Sequence, residues 1–255
     1  MDLLHYEKSD KLNRLIIFTR YPELGKNKTR LIPAFEDDLL RSQAEAKATD
    51  IHRRLAENTL AQARQWQIQQ SIKMIGQNIN ESAPEIVEEI NKTRDKATDE
   101  ITVCFTGGDT ELMTAWLGQD LDYQPQGEGD LGQRMLMALQ HYQELNPELE
   151  NYFVIIGTDC PELTSEDIDR AFQELRTQDL VLGAAEDGGY YLIGLRQIMP
   201  QLFQNISWGT ATVFAKTVAI ANDLGLSISY LPIRRDIDRP EDLNYLRTLT
   251  GFENI

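Results

Sequence analysis

The chain has 255 residues, 41% hydrophobic and 26% charged, which suits one α/β domain whose core needs no disulfide or metal staples. Its 25 basic and 41 acidic residues leave a formal net charge of −16, arguing against a nucleic-acid partner, since such proteins carry a basic footprint. Two cysteines without a CxxC motif, Cys104 and Cys160, make no disulfide scaffold and read as reduced thiols. Three scattered histidines, His5, His52 and His141, argue against a zinc site of the usual type. No run approaches the ~18 apolar residues of a membrane span. The N-terminus also lacks the basic and apolar regions of a signal peptide, so the expected location is cytoplasmic.

Arg14 to Thr19 is an apolar run rich in β-formers and predicts a buried first strand. A loop with Pro22, Gly25, Lys26, Lys28 and Arg30 follows. Ala44, Ala48, Ile51, Leu55 and Ala63 then recur at helical spacing and predict a helix over about 36–66. Residues 67–100 are polar and broken by Asn78, Asn80, Ser82 and Pro84, with a surface helix expected over 85–90. That segment is expected to form an excursion at about 70–100 from an otherwise single domain.

Further strands are expected at 101–105, 152–156, 180–183, 190–194 and 227–231. Helices are expected over 109–117, from about 129 to 142, after a cap at Thr164 or Ser165, over 211–224, and from Pro240 onward. Strands alternating with helices predict an α/β, Rossmann-like fold: a mostly parallel mixed sheet with helices on both faces. Ligands of such sheets sit beyond the C-terminal strand ends, so loops that follow strands are where chemistry is sought.

The loop Arg20 to Arg30 holds four of the 25 basic residues. Lysine and arginine near backbone amides can cradle a diphosphate, although the GxxxxGK[ST] phosphate-loop pattern is absent. Asp159 directly follows the clearest strand, and a carboxylate completed by phosphate oxygens is the usual Mg²⁺ arrangement; a turn or capping aspartate is the plainer alternative. Asp187-Gly188-Gly189-Tyr190-Tyr191 lies between two strands. Its glycines could make a hairpin turn, or let a ligand approach the backbone with Asp187 accepting a proton. Gln126 to Arg134 opens a helix with three glycines, either a turn and cap or a backbone-contact loop with Arg134 one turn into the helix. Trp208-Gly209-Thr210 reads as a helix start with Trp208 packed, and as a lesser option a substrate-pocket wall. Asp236 and Asp238 precede the last helix, and either could supply a second metal ligand.

Taken in order, Gly25–Leu31, Gly107-Gly108-Asp109 with Trp116-Leu117-Gly118, Gln126–Met135, Gly157–Leu163, Glu186–Gly194, Trp208-Gly209-Thr210 and Asp236–Leu243 resemble one bacterial family. It is the glycosyltransferase-like family labelled domain of unknown function 2064, also called radical-SAM/selenodomain-associated transferase 1. The resemblance covers about residues 14–250 and implies a nucleotide-diphospho-sugar transferase fold of the GT-A type. It implies nucleotide binding at the basic loop, through Gly25, Lys26, Lys28 and Arg30, with Gly129 and Arg134 behind it. It further implies divalent Mg²⁺ or Mn²⁺ at Asp159 with an aspartate of the 236–238 pair, taken as Asp238.

On these expectations Asp159 and Asp187 carry catalysis, and Gly188, Gly189, Tyr190 and Trp208 meet the substrate. The expected reaction moves a sugar from a nucleotide-diphospho-sugar to an unidentified small-molecule acceptor. The alternatives are a nucleotidyltransferase that couples a nucleoside triphosphate to a phosphorylated small molecule and releases pyrophosphate, and a nucleotide-binding or partner module on a transferase fold that catalyses nothing.

Overall fold

A central strand must be apolar on both faces, and Lys11–Arg20 (β1) is so, burying Leu15, Ile16 and Ile17 together. The computed structural model describes residues 11–37, 39–76 and 99–255. The other strands are Asp99–Thr106 (β2), Asp122–Pro125 (β3), Glu150–Gly157 (β4), Leu180–Ala185 (β5), Tyr190–Leu195 (β6) and Ile228–Arg234 (β7). They form one seven-stranded sheet in the order β3-β2-β1-β4-β6-β5-β7. Only β6 runs against its neighbours, pairing antiparallel with β4 and β5; the other pairings are parallel.

The helices are Arg41–Gly76 (α1), Thr110–Leu117 (α2), Leu131–Leu145 (α3), Ser165–Glu174 (α4), Val213–Asp223 (α5) and Asp242–Leu246 (α6). Strand alternation divides the core between the two sheet faces. Leu15 and Ile17 pack with Leu60, Ala63 and Trp66 of α1 and with Ile168, Ala171 and Phe172 of α4, where Trp66 stacks on Phe172 at 4.8 Å between ring centroids. Ile16 faces the other way, onto Met135, Leu139 and Tyr142 of α3 and Ala221 of α5. A third cluster seats the 3₁₀ segment Thr29–Phe35 and the first half of α1 against Ile237 and α6. No helix among the described residues is long and apolar enough to cross a membrane.

Two expectations need correction, and one strand was not foreseen. The first helix begins at Arg41 rather than 36 and runs on to Gly76, because no glycine or proline interrupts 41–75, while Pro33 sits in a separate 3₁₀ turn. It therefore takes in the start of the excursion placed at about 70–100; the surface helix expected over 85–90 lies outside the described residues. Helix α5 starts at Val213, not at Trp208–Ala211, since Gly209 takes φ +76° and turns the chain away. Finally, β3 carries too little apolar pattern to be read as a strand; it is an edge strand paired with β2.

Candidate active site

Strands β1 and β4 lie side by side and parallel, with β2 and β3 stepping away on one side and β6, β5 and β7 on the other. That reversal of strand order is a topological switch point, where the loops beyond two parallel strands part and leave a crevice. A cavity of about 530 Å³ opens there, lined by Thr19 of β1, Thr158 and Asp159 after β4, and residues of the later loops.

The loop after β1 is held from within by Asn27, which is buried. Its Oδ1 accepts the Glu23 N–H at 2.6 Å and its Nδ2 donates to the Tyr21 carbonyl at 3.2 Å. Arg20 adds a bond to the Lys26 carbonyl at 3.2 Å. From α1, the His52 ring reaches the Arg20 carbonyl through Nε2 at 2.8 Å. Burial holds the His52 pKa below its usual value, and because a carbonyl oxygen only accepts, Nε2–H is the donor. Lys28 then turns the chain with a left-handed backbone, φ 48° and ψ 38°.

The acidic loop after β7 is set by Ile237, fully buried in the third core cluster. Its N–H donates to the Asp159 carbonyl at 2.8 Å. Tying the β7 loop to the end of β4 in this way brings the aspartates on either side of Ile237, Asp236 and Asp238, into the cavity lining.

Lys28, Arg30, Asp159 and Asp238 thus meet. Lys28 Nζ lies 2.7 Å from Asp159 Oδ1 and 4.0 Å from Asp238 Oδ1, and also donates to the Ile237 carbonyl. Arg30 is paired with Asp238, and Lys26 with Glu23. Burial pushes the Asp236 carboxyl up to about 6, with the negative charges of Asp187 and Asp159 adding to the effect.

Asp187, Gly189, Tyr190 and Trp208 form another part of the lining. The β5–β6 connection is a hairpin turn, and it also faces the cavity: Asp187 Oδ1 accepts the Gly189 N–H at 2.7 Å. Trp208 stands edge-on to Tyr190 with centroids 6.3 Å apart and packs so closely on α3 that a Cβ on Gly132 would lie 2.5 Å from its ring. Among the described residues, the Tyr190 hydroxyl and the Trp208 indole N–H have no hydrogen-bond partner.

Four expected site residues lie outside the lining. Gly25 faces the Glu45 side chain, Gly129 lies beside Gln133, and Gly188 rests on the backbone of Ala211. The Arg134 guanidinium donates to Gln126 Oε1 at 2.8 Å and to the Asp130 carbonyl at 3.4 Å. Gln126 in turn lines the cavity and donates through Nε2 to the carbonyls of Thr19 and Cys104. Sequence reasoning missed Gln126, His52 and Thr158 in the lining. Gln126 and Thr158 fell inside segments already singled out, Gln126–Met135 and Gly157–Leu163, but neither was assigned a role there; His52, inside a helix, carries no motif chemistry.

The donor set suits a hard divalent cation, since the lining acids are carboxylates. Among the described residues no group of three or more such side chains forms a metal site on its own. Asp159 and Asp238 could therefore supply at most part of a coordination sphere, leaving the rest to water or substrate oxygens, as is usual for Mg²⁺.

A mostly parallel sheet with a crevice at its switch point, lined in part by charged side chains, defines the protein as an α/β, Rossmann-like fold. Residues 89–210 match the model of the family described as "Uncharacterized protein conserved in bacteria (DUF2064)", the family that the motifs resemble. A crystal structure from Desulfovibrio desulfuricans G20, provisionally named a nucleotide-diphospho-sugar transferase, matches with a TM-score of 0.70 and 26% identity, covering 96% of this chain and 91% of that one. The 4-diphosphocytidyl-2C-methyl-D-erythritol synthase of Anaerococcus prevotii DSM 20548 matches with a TM-score of 0.51 and 11% identity over 92% of this chain and 94% of its own, a likeness of fold alone. No protein of curated function matches the chain.

Proposed function

We propose that this protein transfers a sugar from a nucleotide-diphospho-sugar to an acceptor hydroxyl in the cavity at the switch point. One observation carries the proposal: Lys28, Arg30, Asp159, Asp187 and Asp238, drawn from loops far apart in the chain, line a single cavity. Its volume of about 530 Å³ is in the range of small-molecule sites. Similarity to the provisionally named transferase at 26% identity supports the same conclusion.

Arg30 and Lys26 are the readily recruited cations. Their side chains are about two-thirds exposed, and exposed ion pairs are worth only about 0–1 kcal/mol, so a diphosphate can draw them from their present partners. Asp187 sits across the lining and takes the acceptor's hydroxyl proton as that oxygen bonds to the anomeric carbon. The bond from that carbon to the diphosphate oxygen breaks, and its electron pair leaves with the nucleoside diphosphate. Asp159 and Asp238 would hold Mg²⁺ or Mn²⁺, which when bound offsets the charge growing on the leaving diphosphate.

The test is a thermal-shift screen of nucleotides and sugar nucleotides with and without Mn²⁺, followed by product analysis. Ligands that bind the folded state raise the melting temperature by mass action, and the expected product is a nucleoside diphosphate. Release of pyrophosphate from a nucleoside triphosphate would replace this proposal with nucleotidyl transfer. Failure of every nucleotide to stabilise the protein would remove both.

A further inference from the structure

Lys28 differs from the other cations of the cavity. Its side chain is only 4% exposed, against 68% for Arg30. Its backbone is left-handed, a conformation that a lysine keeps only when its surroundings over-determine it. Its ammonium is spent on Asp159 and the Ile237 carbonyl, with Asp238 close by. Those two carboxylates are the pair on which the proposed function places a divalent cation.

An ammonium and a divalent cation cannot share these oxygens without strong mutual repulsion. A cation arriving alone would also draw its nearest anion from a buried ammonium, which burial penalises. A diphosphate resolves both difficulties, because it offers Lys28 a new anionic partner and completes the cation's oxygen shell.

We propose that Lys28 is a resident counter-ion. In the ligand-free protein it neutralises Asp159, stands beside the Asp238 that Arg30 pairs with, and holds bare divalent cations off. It releases the two carboxylates when a diphosphate draws the ammonium away. Metal and nucleotide then enter as one unit, and each raises the affinity for the other by the same factor. The inference rests on the assignment of Asp159 and Asp238 as the metal pair.

The test is calorimetric titration of Mn²⁺ alone into the intact wild-type chain, Lys28→Met and Lys28→Asn. Asparagine tolerates the left-handed region better than most residues, so the second variant removes the charge while keeping the turn. Both neutral variants are expected to bind Mn²⁺ about tenfold or more tightly than wild type, and adding Asp159→Asn should erase the gain. Equal or weaker Mn²⁺ affinity in a folded neutral variant, or no measurable binding by it, overturns the proposal. Thermal shift of the wild-type protein by nucleoside diphosphates with Mn²⁺ reports separately on nucleotide binding. Stabilisation there, with unchanged Mn²⁺ affinity in Lys28→Asn, would remove the counter-ion role and leave the transferase proposal standing.

Discussion

Asp159→Ala removes the nearest anion from a buried ammonium and leaves it the Ile237 carbonyl and a more distant Asp238, and it should therefore cost more stability than removing the lysine. Lys28 Nζ is 2.7 Å from Asp159 Oδ1, with the lysine side chain 4% exposed and the aspartate side chain 53%. A hydrogen bond between charged groups contributes about 1.5–3 kcal/mol. The open side of Asp159 pulls that value toward the ~0–1 kcal/mol of surface pairs. Asp238 Oδ1, 4.0 Å from the ammonium, offers a partial substitute.

The expected loss is about 1–2 kcal/mol for Asp159→Ala. It is under about 1 kcal/mol for Lys28→Met, since water can reach the aspartate left behind. In a chain of this size each kcal/mol lowers Tm by about 2–4 °C. Urea denaturation of both single variants and the double variant should return a coupling of about 1 kcal/mol. If Lys28→Met proves the more destabilising, or if the two losses simply add, Asp159 does not hold the ammonium and this account of the site is refuted.

Three further outcomes are expected. Asp159→Asn should slow sugar transfer more than Asp187→Asn, whose loss should fall within the about 10²–10⁴-fold typical of one general base; equal losses in steady-state kinetics, or none at Asp159, would count against this division of roles. Gly132→Ala would place a Cβ 2.4 Å from the Phe203 carbonyl and 2.5 Å from the Trp208 ring. It should cost about 1–3 kcal/mol by overpacking and weaken sugar-nucleotide binding in calorimetry, and a variant unchanged in both would contradict the close packing of Trp208. Burial pushes the Cys104 and Cys160 thiols up to about 12, leaving roughly 10⁻⁴ of each as thiolate at pH 8. Iodoacetamide should label them far more slowly in the native protein than in urea, and equal rates would show that the thiols are not buried.

The elements that could be read from the sequence are those whose burial is written locally. Residues 152–156 of β4 are an unbroken apolar run, and α4 announces itself through Thr164 and Asp167, which form a reciprocal cap. Strand β3 was illegible because its residues are polar and its pairing with β2 is a long-range fact. The same division runs through the site. The motif segments supplied Lys28, Arg30, Asp159, Asp187 and Asp238, because cations and acids directly after strands stand out. Arg134 lies outside the cavity lining and donates to Gln126, which is part of it, a relation that only the tertiary structure shows. His52, inside a helix, gave no local sign that its ring would reach the end of β1.

Periodicity, capping residues and the placement of charge after strands were enough to determine an α/β chain with a polar crevice beyond its strand ends. They are properties of neighbouring residues, so they can be read along the chain. Which charge faces which was decided only by tertiary structure. Lys28 meets an aspartate brought by β4, and Arg30 one brought by the loop after β7, because the Ile237 N–H bonds the Asp159 carbonyl and draws those two loops together. A charge pair depends on distance and burial in space, and neither is encoded in the spacing of its two members along the sequence.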